Sequence, residues 1–216
     1  PEGLTHLGAL TFYNCTGLTQ IDIPASVTNL ENRAFKGSGL TSVVVPDTVT
    51  KMGYEVFMNC ANLAEVDFTT GVSMLQPRTF ENCTSLTTFD YTRNMCRIRT
   101  RAFYGCTALK SIIFENDGMM WGSSNGNESK IASDSFAGCN ENLEFVATKG
   151  SHVESYAINK GFTFVNKNGV AITYDLASMA DSATALNNPD KGWYIHYFDN
   201  GITRYGQWYG NPHGDW

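Results

Sequence analysis

Phe57-Met58-Asn59-Cys60-Ala61-Asn62-Leu63-Ala64-Glu65-Val66-Asp67-Phe68 is followed, 23 residues on, by Phe80-Glu81-Asn82-Cys83-Thr84-Ser85-Leu86-Thr87-Thr88-Phe89-Asp90-Tyr91. Phe, Asn, Cys, Leu and Asp keep their places, and so do the apolar residues on either side of the Asp. Working outward, the same Phe recurs as Phe12, Phe35, Phe103 and Phe136, with gaps of 23, 22, 23, 23 and 33 residues along the whole series. Cys15, Cys106 and Cys139 repeat the position three residues after the Phe, where Ser38 stands in the second unit, and Leu18, Leu40, Leu109 and Leu143 repeat the Leu. Repetition at one period decides the architecture ahead of any local reading.

Each column carries a physical instruction. Two residues after the Phe stand Asn14, Gly37, Asn59, Asn82, Gly105 and Gly138. Asn and Gly are the residues that tolerate positive φ, so a tight turn is expected there. Ile21-Asp22-Ile23, Val43-Val44-Val45, Val66-Asp67-Phe68, Phe89-Asp90-Tyr91 and Ile112-Ile113-Phe114 are β-branched and aromatic triplets. They read as short strands with the first and third residues inward. Pro24 and Pro46 end two of them, since Pro cannot donate to a ladder. One unit cannot bury its own apolar face, but a stack can. Rungs roughly 4.8 Å apart make a rod on the order of 30 Å long, with the Phe column as its spine.

The pattern Ala-Phe-x-x-Cys-x-x-Leu-x-x-Ile-x-Ile-Pro, seen in Ala34-Phe35 and in Leu18-Thr19-Gln20-Ile21-Asp22-Ile23-Pro24, resembles the BspA-like (Treponema-type) leucine-rich repeat. Residues 150 to 162, Gly-Ser-His-Val-Glu-Ser-Tyr-Ala-Ile-Asn-Lys-Gly-Phe, resemble the closing unit of such arrays. The resemblance implies an α/β leucine-rich-repeat solenoid, strand-rich, with one short parallel strand per rung of about 23 residues. It also implies a secreted or surface-displayed bacterial protein that binds other proteins or adheres. The expected organisation is a solenoid over 1–166, opening in mid-repeat as though trimmed, with an insertion at 115–124. A linker and an aromatic-rich segment over 167–216 follow. The departures from the pattern are Ser38 and the insertion.

Composition narrows the function. A net charge of −6 argues against nucleic acid as the partner. No apolar run is long enough to span a membrane. His6, His152, His196 and His213 are scattered, and neither a nucleophile elbow, a phosphate loop nor a paired-cysteine metal motif appears. No catalytic residue, metal or cofactor is therefore assigned. Five of the six cysteines share one column with parallel side chains, which makes disulfides strained. They are expected reduced and buried, with Cys96 the one off the column. Asn14-Cys15-Thr16 and Asn82-Cys83-Thr84 match a glycosylation acceptor but follow from the turn column.

Three groups of residues are candidates for binding. The outward strand positions Asp22, Val44, Asp67, Asp90 and Ile113 form a mixed acidic and aliphatic stripe on the concave face. The insertion carries Met119-Met120-Trp121 between Gly118 and Gly122, a cluster apolar enough to make a contact patch. The tail holds Trp193, Tyr194 and Trp208 among eight aromatics in 24 residues. That tail reads as an aromatic cap on the solenoid, as one choline- or glucan-binding wall repeat, or as the opening of a glycosidase-like barrel. A run of Arg93, Arg97, Arg99 and Arg101 adds a basic edge suited to an anionic polymer. Together these predict a non-enzymatic adhesion module, acting as a monomer on a host or matrix protein or on a cell-wall or host glycan. The rival is the targeting region of a larger glycosidase-like enzyme.

Overall fold

The computed structural model describes residues 3–68, 71–91, 95, 97–114, 131–149, 151–167, 170–172, 193–199 and 202–208. The repeat builds a parallel β-solenoid, each coil running from Phe turn to front strand to return strand. The return strands open the chain with β1 (His6–Leu7) and β2 (Asn29–Leu30). Thereafter front and return strands alternate: β3 (Ser42–Val45), β4 (Lys51–Met52), β5 (Glu65–Phe68), β6 (Met74–Leu75), β7 (Thr88–Tyr91), β8 (Arg97–Ile98) and β9 (Ser111–Phe114). A last front strand, β10 (Glu144–Ala147), is followed by α1 (His152–Lys160), β11 (Thr163–Asn166) and β12 (Val170–Ile172). Equivalent residues pair in parallel, Val43 with Val66 and Phe89 with Ile112, so the repeat sets the register.

The inward alternation holds. Val43, Val45, Phe68, Phe89, Tyr91, Ile112 and Phe114 are buried, and Val44, Asp67, Asp90 and Ile113 are exposed. The first unit departs from expectation: Ile23 is buried, but Ile21–Ile23 is not a ladder strand. The repeat sets Pro24 against Pro46, and neither can donate, so the pairing there loses a bond at its end.

Inside, Phe12, Phe35, Phe57, Phe80, Phe103 and Phe136 form one stack with ring centroids 5.1–5.5 Å apart. All but the half-buried Phe12 are fully enclosed. The stack ends under α1, where Tyr156 and Phe162 meet Phe136 and Phe145. Ser151 caps the helix by accepting from the Glu154 N–H, and Gly161 ends it at φ 75°. β12 then pairs antiparallel with β11, covering that edge of the front sheet.

The turns themselves form a third ladder. In the first four units the residues at −2, 0 and +2 from the Phe send their N–H groups to carbonyls of the next unit; in the fifth Phe103 and Gly105 do so, while the Arg101 N–H goes to the Asp134 carboxylate. Arg33, Phe35 and Gly37 bond Tyr54, Val56 and Met58, and Arg78, Phe80 and Asn82 bond Thr100, Ala102 and Tyr104. The intervening residues close turns within their own unit, as in Lys36 to Arg33. This alternation requires positive φ at +2, as the Asn and Gly column predicts: Asn14, Asn59 and Asn82 lie at 54–61°. It also requires positive φ at −2, where Leu10, Arg33, Glu55, Arg78 and Arg101 sit at 54–61°. No Gly or Asn marks that second column.

One junction differs. Between the units of Phe57 and Phe80 no ladder joins β5 to β7 or β4 to β6 among the described residues. The turn ladder and the Phe57–Phe80 stack still cross it. The Thr87-to-Ala64 bond places Asp67 against Asp90 on the front face, like charges that oppose close pairing. On the return side a pocket of about 280 Å³ opens at the same junction, lined by Lys51, Met52, Met74 and Gln76 among others.

Candidate functional site

The front sheet brings the predicted stripe together. Asp22, Val44, Asp67, Asp90 and Ile113 are exposed on successive units, and Val146 continues the row at the last. Val44 and Ile113 keep 56% and 36% of their surface, which is unusual for aliphatic residues in the middle of strands. Glu65, Thr88 and Glu144 flank them. The apolar triplets that build the core turn these side chains outward, Val44 and Asp67 on the paired strands β3 and β5, and Asp90 and Ile113 on the paired strands β7 and β9. The Met119-Met120-Trp121 cluster lies outside the described residues, as does Cys96. The 115–124 segment leaves the chain directly after β9.

The tail contains an antiparallel hairpin, β13 (Trp193–Asp199) with β14 (Ile202–Trp208). Its register sets Trp193 opposite Trp208 and Tyr194 opposite Gln207. Residues 173–192, within the expected linker, lie outside the described residues.

On the turn face the structure shows a cluster that the sequence did not announce. Glu55 is buried, and its carboxylate accepts from Arg33 Nε at 2.9 Å and Lys36 Nζ at 2.8 Å, with Arg78 Nη1 at 3.4 Å. Burial raises its pKa, but the hydrogen bonds from Arg33 and Lys36 outweigh that and bring it down to about 2. Glu81, also buried, receives Arg101 Nη2 at 2.7 Å and lies 3.6 Å from Arg78 Nε. The ladder closes on Asp134, which accepts from the Thr100 hydroxyl and the Arg101 N–H. Arg101, expected on a free basic edge, is thus committed to Glu81. The −2 column brings Arg33, Glu55, Arg78 and Arg101 into one file, each over its equivalent in the next unit, and Lys36 and Glu81 join it from one residue after the Phe.

The cysteine column has a role beyond filling space. The thiols of Cys60, Cys83, Cys106 and Cys139 donate to the carbonyls of Phe35, Phe57, Phe80 and Phe103, each one unit back, at 3.0–3.1 Å. Each of those carbonyls also accepts an N–H within its own turn, so both lone pairs are used. Ser38 keeps a hydroxyl in the column, 3.3 Å from Cys60 Sγ. All five cysteines of the column are free. Desolvation pushes Cys83 and Cys106 well up and Cys139 up to about 12. Cys15 departs from the expected burial: it is exposed, with no Phe carbonyl one unit back among the described residues. Thiol titration of the native protein should therefore modify Cys15 within minutes, while Cys60, Cys83 and Cys106 react only on unfolding. Mass mapping of the alkylated peptides checks this, and fast labelling of Cys83 would contradict the thiol-to-carbonyl arrangement.

Among the described residues no three His, Cys, Asp or Glu side chains converge to hold a metal ion. Nor is any helix there long and apolar enough to cross a membrane.

Comparison with known proteins agrees with the repeat. The family model for the BspA type leucine rich repeat region matches residues 5–141 in 6 copies. Among curated proteins no sequence matches the chain. A leucine rich repeat protein of T. pallidum superposes with a TM-score of 0.53 at 20% identity, over 74% of this chain and 79% of that one. A leucine rich cell surface protein from Faecalibacterium prausnitzii A2-165 has 21% identity and a TM-score of 0.40, over 74% of this chain. A leucine-rich repeat protein from Bacteroides ovatus has 22% identity and a TM-score of 0.44, over 77% of this chain. The chain spans 61% and 52% of the lengths of these last two. With a matched family region from residue 5 to residue 141 and a solenoid whose coils follow that repeat, the chain belongs to the BspA-type leucine-rich-repeat family.

Proposed function

We propose that the chain is a non-enzymatic binding module displayed at or beyond the surface of a bacterial cell. It takes a protein or glycan partner on its front sheet face, with the 115–124 segment contributing Met119, Met120 and Trp121. The observation that carries this reading is the exposed row of Val44 and Ile113 among Asp22, Asp67 and Asp90 on consecutive units. Solvent alone gives no reason to keep aliphatic side chains there, whereas a partner desolvates them and reads the carboxylates around them. The packed core beneath holds the backbone of these units, so little ordering is needed on binding and the entropic cost of association stays low.

Screening wild type, Trp121→Ala and the double variant Asp67→Lys/Asp90→Lys against arrays of matrix proteins and glycans tests the reading. A loss of affinity of about tenfold or more is expected for both variants, with melting temperatures close to wild type. Undiminished binding by both would remove the front face and the insertion from the contact.

A further inference from the structure

Three of the exposed large apolar side chains lie on the turn side rather than on the front sheet, and Tyr13 and Tyr54 both lie near Arg33. Leu10 is 49% exposed, Tyr13 45% and Tyr54 41%, all within the first three units. Arg33 stands among them, its guanidinium 5.3 Å over the Tyr54 ring, its side chain 40% exposed. Its Nε is spent on Glu55, but Nη1 and Nη2 have no acceptor among the described residues. Lys36 and Arg78 close on the same Glu55, so three cations surround one buried carboxylate. Arg78 is shared with Glu81, and the Glu31 carboxylate accepts from the Ala9 N–H beside Leu10, so Arg33 is the cation of this group with guanidinium N–H groups left over.

We infer that the turn face of the first three units is a second binding surface, shaped for a linear acidic oligosaccharide lying along the rod. The phenol rings offer flat faces for the C–H side of a pyranose. The free guanidinium fork matches a carboxylate or sulfate in bidentate fashion, which an ammonium cannot do. Tyr13 belongs to the first unit and Tyr54 to the third, so the two rings fall roughly 10 Å apart along the axis, two strand spacings. A chain polymer with its own regular repeat can follow such a spacing. The folded sequence makes the site twice over. The −2 column places Arg33 over Glu55, and the turn ladder holds the neighbouring units in register.

The test is binding of the whole protein to oligogalacturonate, to a heparin-derived oligosaccharide and to neutral dextran, at low and at high salt. One or both acidic oligomers should bind and dextran should not, and the binding should weaken with salt as exposed charges are screened. Which acidic oligomer binds distinguishes uronate from sulfate recognition. Tyr13→Ala and Tyr54→Ala should each reduce affinity by about tenfold at unchanged melting temperature, since both rings are exposed. Arg33→Lys, which retains a charge for Glu55, should also lose affinity, through loss of the fork. Asp67→Lys/Asp90→Lys should leave this binding intact or strengthen it, which separates the surface from the front face. Absence of binding to both acidic oligomers, binding insensitive to the two Tyr substitutions, or loss of only a protein partner on those substitutions would each overturn the inference.

Discussion

Phe80→Ala is expected to lower folding stability by about 3–5 kcal/mol, the range for emptying a buried Phe site. Phe80 is fully enclosed, stacked between Phe57 and Phe103 at 5.5 and 5.4 Å, with the edges of Phe68 and Phe89 at 5.9 and 5.4 Å. Four ring contacts add about 0.5–1.5 kcal/mol per pair beyond simple burial. Its position raises the stakes, because it sits at the junction where both sheets lapse and the turns carry the continuity. The cavity left there would lie between strands that form no ladder with one another among the described residues. Melting followed by circular dichroism should show a fall on the order of 10 °C. Phe12→Ala, at the half-buried end of the stack, should fall less. A Phe80→Ala protein that melts with wild type would remove the Phe column from the core.

Glu55→Gln should be the next most damaging of these changes, at about 1.5–3 kcal/mol near neutral pH, the worth of hydrogen bonds to a charged group. The carboxylate is buried beneath three cations that are themselves partly exposed, so its removal leaves them to repel one another. The pH dependence has a definite sign. The folded-state pKa of about 2 lies below the ordinary value of 4.5, so the unfolded chain binds the proton more readily. Stability from this group is complete above about 4.5 and is lost as pH falls toward 2. Urea denaturation across that window should show wild type losing its advantage over Glu55→Gln, the two converging at the acid end. Parallel pH profiles for the two proteins would show that Glu55 is not held below its ordinary pKa.

The core of the fold was legible because its constraints fall on residue types that advertise them. Phe80 and its equivalents announce burial, Asn59 and Gly105 announce positive φ, and Val43 with Val45 announces an inward-facing strand. The second positive-φ column was silent for the same reason: Arg33, Glu55 and Arg78 carry no preference for that region. Their backbones are held there by N–H bonds to the next unit rather than by local propensity. The recurrence of Arg at 33, 78 and 101, always two before the Phe, was the available signal. It becomes meaningful only once stacked units bring Glu55 and Glu81 beside it. The cysteines were read as space-filling, because nothing in a sequence shows that the Phe carbonyl one unit back has a lone pair to spare. Of the candidate binding residues, the front stripe follows from strand alternation alone. The insertion and the tail interrupt the period, and periodicity has nothing to say about what it does not contain.

A core built on stacked phenylalanine has an optical consequence. The Phe column, with Tyr91 and Tyr156 beside it, contains no indole, and the four tryptophans stand at 121, 193, 208 and 216. Tryptophan emission from this protein therefore arises from the insertion and the tail, while the rod contributes only the weaker tyrosine and phenylalanine bands. Light excited at the indole edge reports on Trp121 and the hairpin against a nearly dark solenoid. The same chain thus carries two separate chromophore sets, one for the scaffold and one for the segments that depart from it.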